Sequence, residues 1–289
     1  MDLLADVLAV SGVRGTLGAR IEATDSWGIW WTDIPGAVFY AVTAGTAWLG
    51  VPGQEPRQLM PGDVVLLPNG VGHSLTSHPG AAAPRCDSGA ADEARRLGQV
   101  LRFGDGEVQT HILGAAYEHD PAVTTQVLSL LPEVVHIRAD HGGSCLDDTV
   151  RLLARELAHP QIAAAVVMNS LVDILLVQLL RVWLSMRPEP SEASWLGVLD
   201  DSLMTEALSL LHGEPARAWT TELLAAALNV SRATLSRRFL AVVGESPASY
   251  LTRWRMDLAA LRLRDTDDTL EAIAAAVGYT SVYAFSRAF

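Results

Sequence analysis

Lysine is absent from this 289-residue sequence, and its 21 basic residues, all arginine, are outnumbered by 33 aspartates and glutamates. The formal net charge of −12 excludes a protein that binds nucleic acid over its whole surface, so any contact with DNA must come from a local basic patch. Cysteine is scarce as well. Cys86 and Cys145 have no other cysteine near them, which excludes a disulfide framework and a zinc finger and predicts a reducing cytoplasm.

Long hydrophobic runs are also few. Only the stretch 162–180 is long enough to span a bilayer, and Asn169, Asp173 and Gln178 interrupt it. An aspartate at the centre of a membrane helix costs about 2.5–3.5 kcal/mol on insertion scales. The stretch therefore predicts a buried amphipathic helix and no membrane partner. The first residues lack a basic segment before an apolar one, so a secretory signal peptide is not expected.

The pattern of apolar residues divides the chain. From about residue 8 to 117, short apolar runs alternate with Pro-Gly pairs, which predicts the strands of a sandwich or barrel, and 79–94 reads as a surface loop. Helical periodicity follows, with helices expected over 147–157 and 160–186. We predict a sensor domain over 1–120, a helical arm over 121–186, a linker over 187–196 and an all-α domain over 197–289.

The all-α domain contains an internal near-repeat. Leu224-Ala-Ala-Ala-Leu-Asn-Val230 precedes Ile273-Ala-Ala-Ala-Val-Gly-Tyr279 by 49 residues, and Ser236-Arg-Arg-Phe239 precedes Ser286-Arg-Ala-Phe289 by 50. Each copy reads as helix, tight turn, helix. The first copy has Thr220 and Ser231 as helix caps, and the second is expected to begin at Asp268. This order predicts two helix-turn-helix units, each with its second helix in the major groove of DNA.

The segment between the two units supports this interpretation. A helical pattern over 247–264 would span about 27 Å, which is the right order to place two recognition helices in successive major grooves. Residues 229–264 carry seven arginines against Glu245 and Asp257, a local charge of +5. The alternative is a generic helical bundle with solvated arginines.

These segments closely resemble the AraC/XylS family of transcription regulators. The resemblance covers about 195–289 and is carried by Trp219-Thr-x-Glu-Leu-Leu-Ala, Ser231-Arg-x-x-Leu-Ser-Arg-Arg-Phe239, Gly244-Glu-Ser-Pro247-x-x-Tyr250-Leu, Trp254-Arg-Met-x-x-Ala, Ile273-Ala-x-x-Val-Gly-Tyr279 and Phe285-Ser-Arg-Ala-Phe289. The family's Gly-x-x-Pro-x-x-Tyr segment does not follow Phe289, so the domain is expected to be truncated at its carboxyl end.

The resemblance also implies which residues read DNA: Arg232, Ala233, Ser236 and Arg237 in the first unit and Val282, Tyr283, Ser286 and Arg287 in the second. Arg237 and Arg287 are expected to reach guanine edges or phosphates, and Ala233 a thymine methyl. Arg238 is left open between a phosphate contact and a solvated position.

A second motif lies in the strand-rich region. Gly62-Asp-Val-Val-Leu-Leu-Pro-Asn-Gly-Val-Gly-His73 resembles the second signature of the cupin barrel, which implies that His73 points into a barrel. Tyr40 stands where cupins carry a metal-binding histidine. His73 is therefore only a weak candidate for a divalent metal, and we expect no cofactor; a core histidine bonded to the backbone is the favoured reading.

The barrel is also a candidate for a small-effector pocket. Trp31, Tyr40, Trp48, His73 and His111 are the candidate lining residues, although the aromatic side chains equally fit a filled core. The combination of domains resembles the cupin subgroup of the family, which includes a regulator of the response to reactive chlorine. The thiols of that sensor are replaced here near Ile21 and at Leu113, which argues against redox sensing of that kind, and Cys86 is a weak redox candidate.

We therefore expect an α+β protein: a cupin-like β-barrel, a helical dimerisation arm and an all-α domain with two helix-turn-helix units. The expected function is a cytoplasmic, homodimeric transcription regulator, with activation more expected than repression. It would bind tandem DNA half-sites and RNA polymerase under control of a small effector, and would not be an enzyme. The dimer contact is assigned to the stripe Leu171, Ile174, Leu175 and Gln178, with packing inside the domain as the alternative. The rival function is a metal-dependent cupin enzyme fused to a helical domain.

Overall fold

The computed structural model describes residues 3–32, 34–86, 100–118, 128, 131–141, 143–159, 161–186, 198 and 201–289. The predicted linker over 187–196 lies outside these residues, as does the second half, 87–94, of the predicted loop over 79–94. The chain forms two compact units. One contains the strands and the two helices that follow them. The other contains the first helix of the chain together with all residues from 201 onward.

The described residues of the strand unit form two sheets. The strands are β1 (Arg14–Ala23), β2 (Gly28–Trp31), β3 (Ala37–Ala44), β4 (Ala47–Gly50), β5 (Arg57–Leu59), β6 (Val64–Leu67), β7 (His73–Thr76), β8 (Val100–Phe103), β9 (Thr110–Glu118) and β10 (Val135–Ile137). One sheet has the order β10-β6-β3-β9-β1-β8 and the other β2-β7-β4-β5. Neighbouring strands run antiparallel except β1 and β8.

The core of this unit lies between the two sheets. Along β4, Ala47 and Leu49 are buried whereas Trp48 and Gly50 are partly exposed, because successive side chains of a strand point to opposite faces. The buried side chains of both sheets form one apolar cluster, in which Ile21, Tyr40 and Ile112 of the larger sheet meet Trp31 and Leu75 of the smaller. This is the sheet-rich, cupin-like architecture that the sequence predicts.

The outer face of the larger sheet is covered by two helices, α2 (Gly143–Ala158) and α3 (Ala164–Ser185). Tyr117 of β9 donates its hydroxyl hydrogen to the Val172 carbonyl oxygen at 2.8 Å, and Asp173 accepts the Gly15 backbone N–H. Burial, with the nearby Asp173 carboxylate, raises the pKa of Tyr117 well above its usual value, so this hydroxyl stays a donor. These bonds fix α3 on β1 and β9, and the covered face explains why β3 is buried on both sides.

Helix α3 is the one helix in the described part of the chain that is long and apolar enough to cross a membrane. It is packed against protein along one side, where Leu171, Leu175 and Leu179 are buried. Ile174 is 46% exposed and Gln178 is half-buried, so the stripe predicted from the sequence is divided between an inner and an outer face.

The other unit is entirely helical in its described residues. It contains α1 (Leu3–Ser11), α4 (Ser202–Gly213), α5 (Thr221–Ala227), α6 (Arg232–Val243), α7 (Pro247–Asp265), α8 (Leu270–Ala276) and α9 (Val282–Ala288). The helix α1 departs from the expectation of strands from about residue 8. Leu3, Val7 and Val10 are buried against α4 and α7, which is why α1 belongs to this unit. The domain boundaries stay predictions.

Candidate DNA interface

Two helix-turn-helix units are formed by α5 with α6 and by α8 with α9, as the internal repeat predicts. In the first unit the chain turns at Asn229, whose φ of 55° lies in the left-handed region. The second unit turns at Gly278, with φ of 85°; a Cβ added there would lie 2.8 Å from the Ala216 carbonyl oxygen. Ser231 caps α6 and Ser281 caps α9, each by accepting a backbone N–H three residues on.

The start of the second unit differs by one residue from the expectation. Thr269 caps α8 by accepting the Ala272 N–H, as Thr220 caps α5. Asp268 is instead engaged in an ion pair with Arg262 of α7, at 3.1 Å. The carboxylate is therefore used between helices rather than at the end of its own helix.

The residues assigned to DNA reading lie on the outward side of α6 and α9. Six of them are exposed and two, Ser236 and Val282, are half-buried; the exposed ones are Arg232, Ala233, Arg237, Tyr283, Ser286 and Arg287. Tyr283, the one aromatic residue of the eight, is 74% exposed. The opposite side of each helix packs inward, through Leu235 and Phe239 in α6 and Phe285 in α9. Positions 233 and 237, like 283 and 287, are one helical turn apart and share a face.

The arginines of residues 201–289 differ in whether another group of the protein forms an ion pair or hydrogen bond with the guanidinium. Six contact an acidic side chain: Arg217 with Glu214, Arg232 with Glu222, Arg238 with Asp201, Arg253 with Glu245, Arg262 with Asp268 and Arg264 with Asp265. Arg255 donates to the carbonyl oxygens of Pro215 and Arg217, and its burial lowers its pKa. Within this described stretch only Arg237 and Arg287 have neither an ion pair nor a hydrogen bond. They occupy the same position in the two repeats.

Arg238, for which the sequence left two roles open, contacts an acidic side chain at the start of α4. Its Nε donates to Asp201 Oδ2 at 2.7 Å, and the other oxygen of Asp201 accepts the backbone N–H groups of Leu203 and Met204 at the start of α4. Arg238 therefore links α6 to α4 through this ion pair, although its side chain is 52% exposed.

The local positive charge is smaller than the sequence count suggests. The +5 of residues 229–264 omits acids that lie outside that window but pair with its arginines, namely Asp201, Glu222, Asp265 and Asp268. Across residues 201–289, nine arginines face ten acids, a formal charge of −1. The arginines whose charge no acidic side chain contacts are Arg255, which is bonded to backbone oxygens, and Arg237 and Arg287, one on each recognition helix.

A buried histidine that the sequence did not single out lies behind these helices. The ring of His212 stacks on Trp254 with 3.7 Å between centroids, and its Nε2 lies 2.7 Å from the Tyr250 hydroxyl. Burial, with a smaller effect of Arg253, lowers the pKa of His212 from 6.5 to about 3. The histidine is therefore neutral at physiological pH. Its Nε2 either accepts a hydrogen bond from the Tyr250 hydroxyl or donates one to the Tyr250 oxygen, depending on the tautomer.

In the strand unit, the candidate pocket residues separate into two groups. Trp31, Tyr40 and His73 are buried between the sheets, where Trp31 and His73 are paired across β2 and β7. Trp48 lies on the opposite face of β4 from the core residue Leu49, and His111 on the opposite face of β9 from Ile112. The alternation along a strand thus removes Trp48 and His111 from the predicted interior pocket.

The surroundings of His73 do not fit a metal. Its Nδ1 lies 2.7 Å from the Val71 carbonyl oxygen, so this nitrogen carries the proton, and its Nε2 lies 2.8 Å from the Tyr40 hydroxyl, which then donates to it. Both ring nitrogens are engaged with protein. No group of three or more histidine, cysteine or acidic side chains that could hold a metal occurs in the described part of the chain.

Comparison with known proteins assigns both units. A cupin family model matches residues 2–185 and a helix-turn-helix domain model matches residues 224–289. A putative AraC-like transcription regulator of Streptomyces lividans is 37% identical over the whole chain and 94% of the relative. The chain belongs to the AraC family of transcription regulators. Its cupin domain precedes its DNA-binding domain, as the sequence resemblance implied.

One further relative and one solved structure are also similar to this chain. The transcriptional activator RclR of Escherichia coli K12, named as specific for RCS, is 24% identical over the whole chain and 93% of the relative. The solved DNA-binding domain of the transcriptional factor AdpA, in complex with a target DNA, is 28% identical over 31% of this chain and 79% of that one, with a TM-score of 0.29. The relatives from Streptomyces lividans and Escherichia coli are both named as transcription regulators, so the comparisons give no support to the enzyme alternative.

Proposed function

We propose that this regulator reads two successive half-sites of double-stranded DNA, one with α6 and one with α9. The observation that carries the proposal is the pair Arg237 and Arg287, the two guanidinium groups of residues 201–289 without a protein partner, at matching positions of the two repeats. The connecting helix α7 has 19 residues and is about 28 Å long, which suits recognition helices placed one turn of the duplex apart.

The exposed side chains assign a chemistry to each position. Arg237 and Arg287 suit the O6 and N7 acceptors of guanine, and Ala233 suits the methyl group of thymine. Tyr283 offers an exposed ring and a hydroxyl, and Ser236 and Ser286 offer short donors and acceptors. Arg232 pairs with Glu222 at 2.9 Å, so part of its charge is already neutralised and we expect the smallest contribution of the three charged positions from it.

The test uses single alanine substitutions in the full-length protein, with a duplex selected by the wild type from a random-sequence pool. Arg237→Ala and Arg287→Ala should each reduce affinity by a factor of about 5 to 150, the equivalent of about 1–3 kcal/mol for one good base contact. Arg217→Ala is the matched control, because Arg217 is occupied by Glu214 and the ring of Trp219. Equal affinity of all three variants and the wild type would refute the reading face.

We further propose that the strand unit senses a small effector. Support comes from the cupin domain and from Trp31, Tyr40 and His73, which place two aromatic rings and an imidazole in one buried interior. An effector that binds this unit should raise the thermal midpoint of unfolding of the full-length protein in a screen of metabolites. A screen in which no compound raises the midpoint would favour a DNA-binding protein without a sensor.

We propose a homodimer formed through the outer face of α3, rather than through the stripe named from the sequence. Val166, Ser170 and Ile174 follow each other at intervals of four residues on this face, and Val166 and Ile174 are 67% and 46% exposed. Ile162, which precedes the start of α3 at Ala164, is fully exposed next to this face. A second copy of the same face would cover them. In sedimentation experiments Ile174→Asp should shift the protein to monomer, whereas Ala165→Asp, at an edge of the exposed surface, should not.

The regulator is proposed to act in the cytoplasm as an activator that contacts RNA polymerase, with no enzymatic activity. The support is the family and the name of the Escherichia coli relative, which is an activator. Transcription in vitro from a promoter next to the selected site should rise when the protein is added. Stoichiometric metal in the purified protein would instead favour the cupin enzyme.

A further inference from the structure

The amino-terminal helix contributes to the unit that carries the recognition helices. Leu3, Val7 and Val10 are spaced to share one face of α1, and they are 2%, 0% and 4% exposed. They pack against α4 and α7, whereas Ala9 is exposed on the other side of the helix. Helix α1 thus covers an apolar surface next to the DNA-binding helices, although it lies about 200 residues away from them in sequence.

Three helices meet at the buried His212. Asp6 of α1 lies with Oδ2 3.5 Å from Nδ1 of this ring, which itself belongs to α4. Tyr250 and Trp254 of α7 contact the other nitrogen and the ring face. His212 of α4 is therefore in contact with side chains of both α1 and α7.

Both α4 and α7 hold the first recognition helix. At the start of α4, Asp201 binds Arg238 of α6. In α7, the ring of Tyr250 packs edge-on against Phe239 of α6, with 5.9 Å between centroids. A continuous series of contacts therefore runs from α1 to α6. In the second unit, α8 packs on α7 and α9 packs on α8, and α1 contacts neither of them closely among the described residues.

We infer that α1 is a positioning element for DNA reading, which holds α6 more directly than α9 and keeps it at the orientation that the first half-site requires. This inference rests on the proposed function for its readout on DNA. Val7, at the centre of the buried face, is the positioning residue; it does not contact DNA itself.

The experiment compares Val7→Asp with the matched variant Ala9→Asp in the full-length protein on the selected duplex. Val7→Asp introduces a buried charge and should lower affinity at least tenfold, with helix content unchanged by circular dichroism. Ala9→Asp adds the same charge on the exposed side and should stay within twofold of the wild type. Equal affinities of the two variants would overturn the inference.

A double-mutant cycle distinguishes positioning from a general loss of structure. If α6 is already displaced, Arg237→Ala should add less than twofold to the loss caused by Val7→Asp, whereas Arg287→Ala should keep its full effect. A collapsed domain would abolish both effects, and independent action would preserve both; either result overturns the inference.

Hydrogen exchange separates failure of this inference from failure of the proposed function. If the wild type binds no duplex, the proposed function fails, while docking of α1 still predicts faster exchange in α4 and α7 of Val7→Asp than of Ala9→Asp. Equal exchange in the two variants would show that α1 does not support these helices, and would overturn the inference without reference to DNA.

Discussion

Alanine substitutions of the two neighbouring arginines of α6, Arg237 and Arg238, should change different properties of the protein. Arg237 is exposed and without a protein partner, so its replacement by alanine should lower DNA affinity and leave the free energy of unfolding nearly unchanged. Arg238 binds Asp201 at 2.7 Å, so its replacement should lower the free energy of unfolding and leave the contacts with DNA in place.

The size of the second effect follows from burial. The side chain of Arg238 is 52% exposed, which limits the value of the ion pair, whereas that of Asp201 is 10% exposed and would be deprived of a charged donor. Exposed pairs contribute about 0.2–1 kcal/mol, and a hydrogen bond to a charged group about 1.5–3 kcal/mol. We expect Arg238→Ala to cost about 1 kcal/mol, because water replaces part of the missing interaction.

Two measurements check this expectation. Denaturant titration of the full-length protein, followed through the helical signal, gives the change in unfolding free energy. Titration of the selected duplex at several salt concentrations gives the slope of log affinity against log salt, whose magnitude decreases by about 0.9 for each phosphate group that the protein no longer neutralises. The slope should be the same for the wild type and for Arg238→Ala at a temperature where both are folded.

A reduced slope for Arg238→Ala, with no change in stability, would refute the reasoning. It would mean that the ion pair with Asp201 breaks in the complex and that the guanidinium group binds a phosphate instead. Arg237→Ala provides the internal comparison, since its effect should appear on DNA alone.

Three further outcomes are expected. The pKa of His212 is lowered from 6.5 to about 3 in the folded protein, so between these pH values the unfolded chain binds one more proton than the folded chain. The free energy of unfolding should therefore decrease as pH falls below 6.5, by up to about 1.4 kcal/mol per pH unit. His212→Gln should flatten this dependence in acid titrations followed by circular dichroism. Gly278→Ala should cost more stability in denaturant than Gly244→Ala, about 2–3 against about 1 kcal/mol, because both positions have positive φ but only the first has a backbone oxygen in the way. Tyr40→Phe should lower the thermal midpoint by removing the donor to His73, at about 1–2 kcal/mol, and a variant of unchanged stability would contradict that hydrogen bond.

The helix-turn-helix units were predictable because their signals are local. A cap, a tight turn and an apolar period of 3.6 all lie within a few residues, and Thr220 and Ser231 cap their helices as the sequence indicates. Threonine and aspartate are both good helix caps, so the sequence alone does not distinguish Asp268 from Thr269 as the cap of α8. In the structure Asp268 forms an ion pair with Arg262, and Thr269 is the cap.

The less accurate expectations depended on contacts between distant residues. The partner of Arg238 lies 37 residues away, so no count of charge within a window could identify it. For the same reason strands were expected from about residue 8, where the structure has the end of helix α1. The surface that α1 covers lies on α4 and α7, far away in sequence. In the strands, the alternation at Trp48 and His111 was readable, but which face is inside depends on how the two sheets pack.

The pairing of arginines with nearby acids has a kinetic consequence. A domain with a formal charge of −1 over residues 201–289 has little long-range attraction for a polyanion, so encounter with DNA should be slow compared with that of strongly basic repressors, and occupancy of unrelated chromosomal sequence should be low. Such a protein would search mainly by free diffusion rather than by sliding, and under the proposed function Arg237 and Arg287 would contact DNA only where the bases match. A small number of molecules in a cell could then find a single promoter without first saturating the rest of the genome.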